Sequence, residues 1–315
     1  MTTLRMDRAE AVLSLIGNTP TVALRFAPEN RVVHAKCEFL NPSGSVKDRL
    51  AKTVILDAES RGLLRPNSII LECTSGNTGV SLAMVGAAKG YAVTILMSER
   101  ASEERRRLIR QFGAKLILFD AQGSYATGIE LSRRMAAEDD RYFLPRQFEN
   151  PLNAEDHEHG TAVELLDQVP GPIDAFVAGY GTGGTLAGCG KGIKARYPHA
   201  RIIAMEPAEA AMLRGEMPCC HFIEGIAGGF MPPLLQDAPL DGEVQVASHD
   251  AMAMARRLNR ELGLLVGTSS GANVAAALRL AQELGPDATI VTLLCDRAER
   301  YFSTRLFDAE SRIDG

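Results

Sequence analysis

Short apolar runs alternate with amphipathic stretches along most of this chain, and the alternation predicts strands that are followed by helices. The runs are rich in Val, Ile and Leu, which is typical of parallel strands buried on both faces. Helices between such strands cover both sides of a parallel sheet, so the chain is expected to have an α/β fold. The predicted strands are 68–72, 91–97, 115–119, 175–178, 201–205 and 289–294, and the predicted helices are 78–89, 103–112, 125–137, 184–197, 248–262 and 270–284.

Composition narrows the class of protein further. Of the 315 residues, 46% are apolar and 23% are charged, and both fractions are typical of globular proteins. The net charge of −5 argues against a nucleic-acid partner. No apolar run is long enough to cross a membrane, so no membrane partner and a cytoplasmic location are expected. The six cysteines form neither a C-x-x-C pair nor a zinc-type spacing, so no metal site is expected.

One lysine follows a turn of Gly, Pro and Ser and begins a predicted helix. Lys47 lies in the segment 41–49, and apolar residues at 46, 50, 54, 55 and 58 predict one buried helical face beside it. The positive end of the helix dipole and partial burial both disfavour the ammonium form, so the pKa of Lys47 is expected to fall. A neutral amine is what a Schiff base with an aldehyde cofactor requires.

Three further segments each join the end of a predicted strand to the start of a helix. The run of hydroxyl, amide and glycine residues at 74–79 predicts a site for an anion such as a substrate carboxylate. The glycine-rich segment 179–185 predicts a phosphate cradle, because glycines leave backbone N–H groups accessible. The segment 267–273 places a serine hydroxyl where it is able to meet a heteroaromatic ring nitrogen.

The glycine-rich segment also matches a different class of phosphate ligand. Gly179, Gly181 and Gly184 have the G-x-G-x-x-G spacing after a strand, and Glu206 follows a later strand at the expected distance. This is the dinucleotide-binding pattern, so a nicotinamide oxidoreductase is the alternative from another functional class. The lysine segment favours the aldehyde cofactor instead.

Taken together in order and spacing, the four segments resemble the cysteine synthase (O-acetylserine sulfhydrylase) family of fold-type II pyridoxal-phosphate enzymes. Further motifs at 16–20, 147–153 and 295–304 extend the resemblance along nearly the whole chain. It implies pyridoxal 5′-phosphate as cofactor, a homodimer, and two open twisted, mostly parallel sheets with flanking helices. It also implies a smaller mobile domain at 37–148, with the substrate-carboxylate loop, and a larger cofactor-phosphate domain formed by 1–36 and 149–315.

The resemblance also implies roles for individual residues. Lys47 is similar to the lysine that forms the Schiff base and serves as general base. Asn77 is similar to the residue that binds the cofactor's 3′-oxygen, and Ser269 to the partner of its pyridine nitrogen. The implied phosphate cradle is Gly181, Thr182, Gly183, Gly184 and Thr185, and the implied substrate-carboxylate clamp is Thr74, Ser75, Thr78 and Gln147.

The implied reaction is β-replacement on O-acetylserine or O-phosphoserine with sulfide, which forms L-cysteine through an aminoacrylate. Gly229 stands where cystathionine β-synthases and some hydrogen-sulfide-forming relatives carry Asp, which argues against condensation with homocysteine. The loop 212–222 matches no substrate subtype. The donor therefore stays open, and so do the alternatives of another nucleophile, as in a diaminopropionate-type or other β-substituted alanine synthase, and of a cysteine desulfhydrase.

Overall fold

The structure is a computed structural model that describes residues 8–26, 30–121, 124–217 and 219–308. Strands and helices alternate through most of these ranges. The strands are β1 (Thr21–Phe26), β2 (Arg31–Cys37), β3 (Ile69–Cys73), β4 (Ala92–Ser98), β5 (Lys115–Phe119), β6 (Tyr142–Phe143), β7 (Ala175–Gly179), β8 (Arg201–Pro207), β9 (Gly242–Val246) and β10 (Ile290–Leu294). The helices are α1 (Arg8–Leu13), α2 (Lys47–Ser60), α3 (Asn77–Lys89), α4 (Glu103–Gln111), α5 (Ala126–Glu138), α6 (Leu152–Asp156), α7 (Ala162–Gln168), α8 (Gly184–Arg196), α9 (Ser248–Leu262) and α10 (Thr268–Leu284), with a π-helical turn at His157–Thr161.

The strands form two sheets, as expected from the sequence. The larger sheet has the order β1-β2-β10-β7-β8-β9 and is parallel except for the antiparallel β1–β2 pair. The smaller sheet has the order β5-β4-β3-β6 and is parallel throughout. Parallel strands need a covering layer on each face, and the flanking helices supply it. The α/β prediction of two mostly parallel sheets with flanking helices is confirmed.

Every strand and helix predicted from the apolar pattern is present, with ends that differ by a few residues. The strands β1, β2, β6 and β9 were not predicted. β6 has only two residues, and β9 is a partly polar edge strand, so neither contains the long apolar run on which the prediction depended. No helix within the described ranges is long and apolar enough to span a membrane.

The N-terminal helix packs with the smaller sheet. Leu13 and Ile16 share an apolar cluster with Ile55 of α2, Val80 of α3 and Ile95 of β4. The larger sheet has its own apolar cluster on each face.

The domain boundaries and the movement of residues 37–148 remain predictions.

A buried group of charges anchors the helix that begins at Lys47. Arg49 Nε lies 2.7 Å from Glu38 Oε2, and its Nη2 lies 2.8 Å from Glu164 Oε2 of α7. Lys36 Nζ of β2 lies 2.7 Å from the same Glu164 oxygen. Because Lys36 and Glu38 are fully buried, these charges depend on one another for compensation. The group therefore fixes the first turn of α2 against the larger sheet and α7.

Removal of the Arg49 guanidinium is expected to destabilise the fold strongly. Arg49→Met keeps much of the length but leaves the Glu38 carboxylate buried without its partner, which costs about 3–5 kcal/mol. Arg61 follows the last residue of the same helix, and Arg61→Met removes its exposed ion pair with Asp57, which should cost below about 1 kcal/mol. Urea unfolding of both variants measures the difference, and equal losses would contradict the prediction.

Acid should reduce the stability that this buried group of charges contributes. Burial raises the pKa of Glu164, but the hydrogen bonds and charges of Arg49 and Lys36 outweigh it and lower the pKa to about 2. The ionised carboxylate therefore contributes stability above its usual pKa of 4.5, and this contribution is lost as pH falls towards 2. In Glu164→Gln the free energy of unfolding should depend less on pH in this window. An unchanged slope would show that Glu164 is not responsible.

Candidate active site

A cavity of about 520 Å³ lies where the carboxyl ends of strands from both sheets meet. Loops after parallel strands converge at this edge, which is the usual place for a ligand in α/β folds. The volume suits a small-molecule site. All predicted site residues except Thr74 and Gly184 line it, namely Lys47, Ser75, Asn77, Thr78, Gln147, Gly181, Thr182, Gly183, Thr185 and Ser269.

The turn before Lys47 is fixed by the segment that follows β10. The Val46 N–H donates to the Cys295 carbonyl at 2.9 Å, and the Arg297 N–H donates to the Gly44 carbonyl at 3.1 Å. Lys47 is then the first residue of α2, and its backbone N–H contacts Ser45 Oγ at 3.3 Å. Burial lowers the pKa of Lys47, while the charges of Cys295, Asp296 and Glu38 oppose this. The direction agrees with the sequence-based expectation of a neutral amine.

Thr78 and Gln147 form one hydrogen-bonded unit at the edge of the smaller sheet. The Thr78 hydroxyl donates to Gln147 Oε1 at 2.6 Å, and Gln147 Nε2 donates to the Cys73 carbonyl at 2.7 Å. Behind them, the buried Glu72 carboxylate accepts the backbone N–H groups of Cys73 and Gln147. Burial raises the pKa of Glu72 to about 7, although these hydrogen bonds oppose the shift. The second Gln147 amide hydrogen is left for a ligand.

Thr74 has a different position from its predicted neighbours. Its hydroxyl accepts the Gly76 N–H at 3.0 Å, and its backbone N–H donates to the Leu96 carbonyl. The side chain thus shapes the loop from within, and Thr74 does not line the cavity, whereas Ser75 does. A direct contact of the Thr74 side chain with a substrate remains a prediction.

Asn77 is held by two residues of the last sequence motif. Its Nδ2 donates to Asp296 Oδ2 at 2.6 Å, and its Oδ1 accepts from Arg300 Nη1 at 2.5 Å. Tyr301 also donates to the same Asp296 oxygen. Asn77 lines the cavity and keeps one amide hydrogen, so it is able to donate one bond to a ligand oxygen.

The N-terminus of α8 offers a set of free donors to the cavity. Within the described ranges, the backbone N–H groups of Gly181, Thr182, Gly183 and Thr185 have no hydrogen-bond partner. Four such donors at the positive end of a 13-residue helix suit a phosphate. Because the Lys47 amine lines the same cavity, the site fits a phosphate ester that carries an aldehyde.

Two buried side chains behind this cradle were not identified from the sequence. His157 Nε2 lies 3.2 Å from the Thr185 hydroxyl, and its Nδ1 lies 2.9 Å from the Thr161 hydroxyl. Burial lowers the pKa of His157 well below its usual value, so the ring is neutral. Asn153 Nδ2 donates to Thr182 Oγ1 at 2.9 Å and to the Gln147 carbonyl at 2.8 Å. Asn153 thus joins the cradle to the Gln147 segment at the edge of the smaller sheet.

Glycine is required at two cradle positions because of packing against the protein itself, which the sequence did not show. Gly183 has φ +86°, and a Cβ there would lie 2.7 Å from the Leu235 nitrogen. At Gly184 a Cβ would lie 2.4 Å from Asn153 Oδ1, which agrees with its position outside the cavity wall. The absent side chains therefore make room for the protein itself as well as for a ligand.

Ser269 and Ser270 have different environments. Ser269 lines the cavity at the start of α10. Ser270 is fully buried, and its hydroxyl accepts the Cys295 N–H at 2.8 Å. Of the two, Ser269 is therefore the residue able to contact a ring in the cavity.

Glu206 does not support the dinucleotide alternative. It is fully buried, and its carboxylate accepts the Tyr180 hydroxyl at 2.8 Å, the Leu213 N–H at 3.0 Å and Gln245 Nε2 at 3.0 Å. A carboxylate with these partners is not free to bind a ribose.

Gly183→Ala is expected to weaken both the fold and cofactor retention. The left-handed conformation alone costs roughly 1–2 kcal/mol for an alanine. Gly171→Ala is the matched control, since Gly171 has φ +79° and nothing lies within 4 Å of its Cβ position. Denaturant unfolding should show a larger loss for Gly183→Ala, because its methyl group also meets backbone atoms of Leu235. Equal losses in the two variants would contradict the packing argument.

Comparison with known proteins agrees with this geometry. A family model described as "Pyridoxal-phosphate dependent enzyme" matches residues 12–296. The cysteine synthase of Staphylococcus aureus (strain Mu50 / ATCC 700699) is 44% identical over 299 residues, which cover 94% of this chain and 96% of that protein. The O-ureido-L-serine synthase of Streptomyces lavendulae is 45% identical over 306 residues, which cover 96% and 94%.

A solved structure extends the comparison to the fold. The hydrogen sulfide-producing enzyme from Fusobacterium nucleatum matches with a TM-score of 0.91 and 39% identity, over 96% of this chain and 92% of that one. The cavity already described contains a lysine amine and a phosphate-type cradle, which are the groups that such a cofactor needs. The chain belongs to the cysteine synthase family of fold-type II pyridoxal-phosphate-dependent enzymes.

Proposed function

We propose that this enzyme catalyses β-replacement on an O-activated L-serine, either O-acetylserine or O-phosphoserine, with sulfide as the nucleophile and L-cysteine as the product. The observation that carries the proposal is the single cavity in which the Lys47 amine, the carboxylate-type loop and the phosphate-type cradle face one another. When bound, pyridoxal phosphate supplies an aldehyde that reacts with amines and a ring that withdraws electrons from the substrate.

The cofactor-binding residues are proposed from their donors and positions. The free N–H groups of 181–185 would hold the phosphate at the N-terminus of α8. Asn77, fixed by Asp296 and Arg300, would donate its remaining hydrogen to the 3′-oxygen. Ser269 would present a neutral hydroxyl to the ring nitrogen, which is a weaker proton partner than a carboxylate.

The substrate's carboxylate is proposed to bind the loop 74–78 and Gln147. Ser75, Thr78 and Gln147 line the cavity next to the N-terminus of α3, where the helix dipole favours an anion. Thr74 would contribute by holding the loop and, through its own hydroxyl, as a fourth donor. A substrate bound in this way would have its Cα and its leaving group between the two sheets.

Lys47 is proposed to move the proton of the reaction. Its amine, with a pKa lowered by burial, would remove the proton from Cα and later return it after the nucleophile has added at Cβ. The β-substituent leaves between these two proton transfers. A lowered pKa keeps more of the amine neutral at working pH, which a general base requires.

Movement and assembly are proposed on the same basis. The carboxylate loop follows a strand of the smaller sheet, and the phosphate cradle follows a strand of the larger one. A substrate held by both would favour closure of 37–148 over the rest, and closure would exclude water. The homodimer and the cytoplasmic location are proposed from the family relationship alone.

A second nucleophile is the competing proposal within the same reaction class. The S. lavendulae O-ureido-L-serine synthase is as similar to this chain as the S. aureus cysteine synthase is. Steady-state assays with both serine donors, each with sulfide and hydroxyurea, distinguish the two. The cysteine proposal requires sulfide to give the highest kcat/KM; a higher value with hydroxyurea would replace it.

Lys47→Ala is expected to abolish turnover and the visible absorbance of a lysine-bound aldehyde cofactor. The reason is that, among the described residues, Lys47 is the only lysine that lines the cavity. Lys52→Ala, on the same helix, is the matched control and should retain both properties. Absorbance spectra and product assays of the two variants check the prediction, and normal turnover by Lys47→Ala would refute it.

A further inference from the structure

We propose that Arg105 is a positioning residue that sets the carboxylate loop (residues 74–78) and joins it to a covering loop (residues 219–229) through an ion pair with Glu224. Both loops line the active-site cavity. The inference rests on the proposed function, because it assigns a role in binding the amino-acid substrate.

The Arg105 side chain is almost completely enclosed, with 1% of it exposed. Its Nη1 donates to the Ser75 carbonyl at 2.9 Å, and its Nε donates to Ser102 Oγ at 2.9 Å. Its Nη2 donates to Glu224 Oε2 at 2.8 Å. The guanidinium also lies 5.0 Å from the centre of the Tyr301 ring. Each edge of the planar group therefore has its own partner, which a lysine would not reproduce.

The carboxylate loop is shaped around this side chain. Gly76 has φ +145°, and a Cβ there would lie only 2.4 Å from Arg105 Cδ. Its neighbour Ser75 is held through its carbonyl by the Arg105 guanidinium. Arg105 thus determines how closely the loop approaches α4 and, with it, where the donors of Ser75 and Asn77 point. The glycine in this loop is required by the arginine beneath it.

The covering loop is attached to both halves of the molecule. On the larger-sheet side, the Glu224 N–H donates to Thr268 Oγ1 at 2.9 Å and the Ala227 N–H donates to the Tyr180 carbonyl at 3.0 Å. On the smaller-sheet side, the Gly228 carbonyl accepts the Tyr125 N–H at 3.3 Å. The Arg105–Glu224 pair adds a charged connection between α4 and this loop.

The burial of the Arg105–Glu224 pair explains how a change at Glu224 is able to move the carboxylate loop. The Glu224 side chain is 30% exposed and that of Arg105 is 1% exposed, so the pair is far less screened than a surface ion pair. An enclosed arginine without its carboxylate would lose a charged partner and shift or recruit water. A displaced Arg105 would release the Ser75 carbonyl, and the donors that face the substrate carboxylate would move with it.

The variants Glu224→Gln and Arg105→Lys test the inference in the cofactor-loaded enzyme. Glu224→Gln keeps the shape and removes the charge at a partly exposed site, so it should fold even if Arg105→Lys does not. Arg107→Lys is the matched control, because Arg107 lies on the same helix, is 77% exposed and pairs with Glu103 on the surface.

Both test variants are expected to raise KM for the serine donor at least about tenfold, with a smaller change in kcat, because misplaced substrate contacts act first on binding. Cofactor absorbance should stay as in the wild type. Hydrogen exchange should become faster in residues 74–79 as well as in 219–229, and L-alanine, an amino acid without a leaving group, should protect both loops less. Arg107→Lys should change none of these.

Faster exchange in 219–229 alone, with an unchanged KM, would overturn the inference, because Glu224 would then hold only its own loop. Unchanged exchange and KM in Glu224→Gln would overturn it as well. Failure of the proposed function has a separate signature: the wild type itself would neither turn over a serine donor nor respond to L-alanine. The exchange of the two loops without ligand would still decide whether Arg105 joins them.

Discussion

The active site depends on the pairing of one late segment, 295–300, with two early ones. Backbone hydrogen bonds from Val46 to Cys295 and from Arg297 to Gly44 fix the turn that precedes Lys47. Asp296 and Arg300 hold the two ends of the Asn77 amide, and Arg300 also donates to the Ser43 carbonyl at 2.7 Å. One segment after β10 therefore sets the lysine turn and the start of α3 together. Any change in its position would move the amine and the amide at the same time.

Burial and charge act in opposite directions around Lys47. Removal from water lowers the pKa of its amine, whereas nearby acidic groups raise it. The Arg49 guanidinium, two residues further on, is occupied by Glu38 and Glu164. Because these carboxylates are matched to their own cations, they stabilise the first turn of α2 without holding the amine of Lys47 in an ion pair. Glu38 therefore acts on the amine of Lys47 only through its charge, which raises the pKa of that amine.

Relatives with different activities share nearly the whole length of this chain. A cysteine synthase and an O-ureido-L-serine synthase match it at 44% and 45% identity. A fold and a cofactor cradle in common do not by themselves choose the nucleophile. In this chain the covering loop, residues 219–229, lines the same cavity beside the cradle, and a Cβ at Gly181 would lie 2.6 Å from the Gly225 carbonyl oxygen.

The sequence by itself determined six of the ten strands described, the helices between them and the loops that form the site. The predicted strand 115–119 is β5 to the residue, and 78–89 differs from α3 only at its first residue, because apolar periodicity is a local property. Only the tertiary structure decided that His157 and Arg105 support the site, that Thr74 does not line the cavity, and that Gly183 is required by Leu235. His157 and Arg105 lie on turns or helices with ordinary polar patterns. Their contacts with Thr185, Ser75 and Glu224 join residues that are 28 to 119 positions apart in the chain. Such contacts arise from packing between elements, which no local pattern encodes.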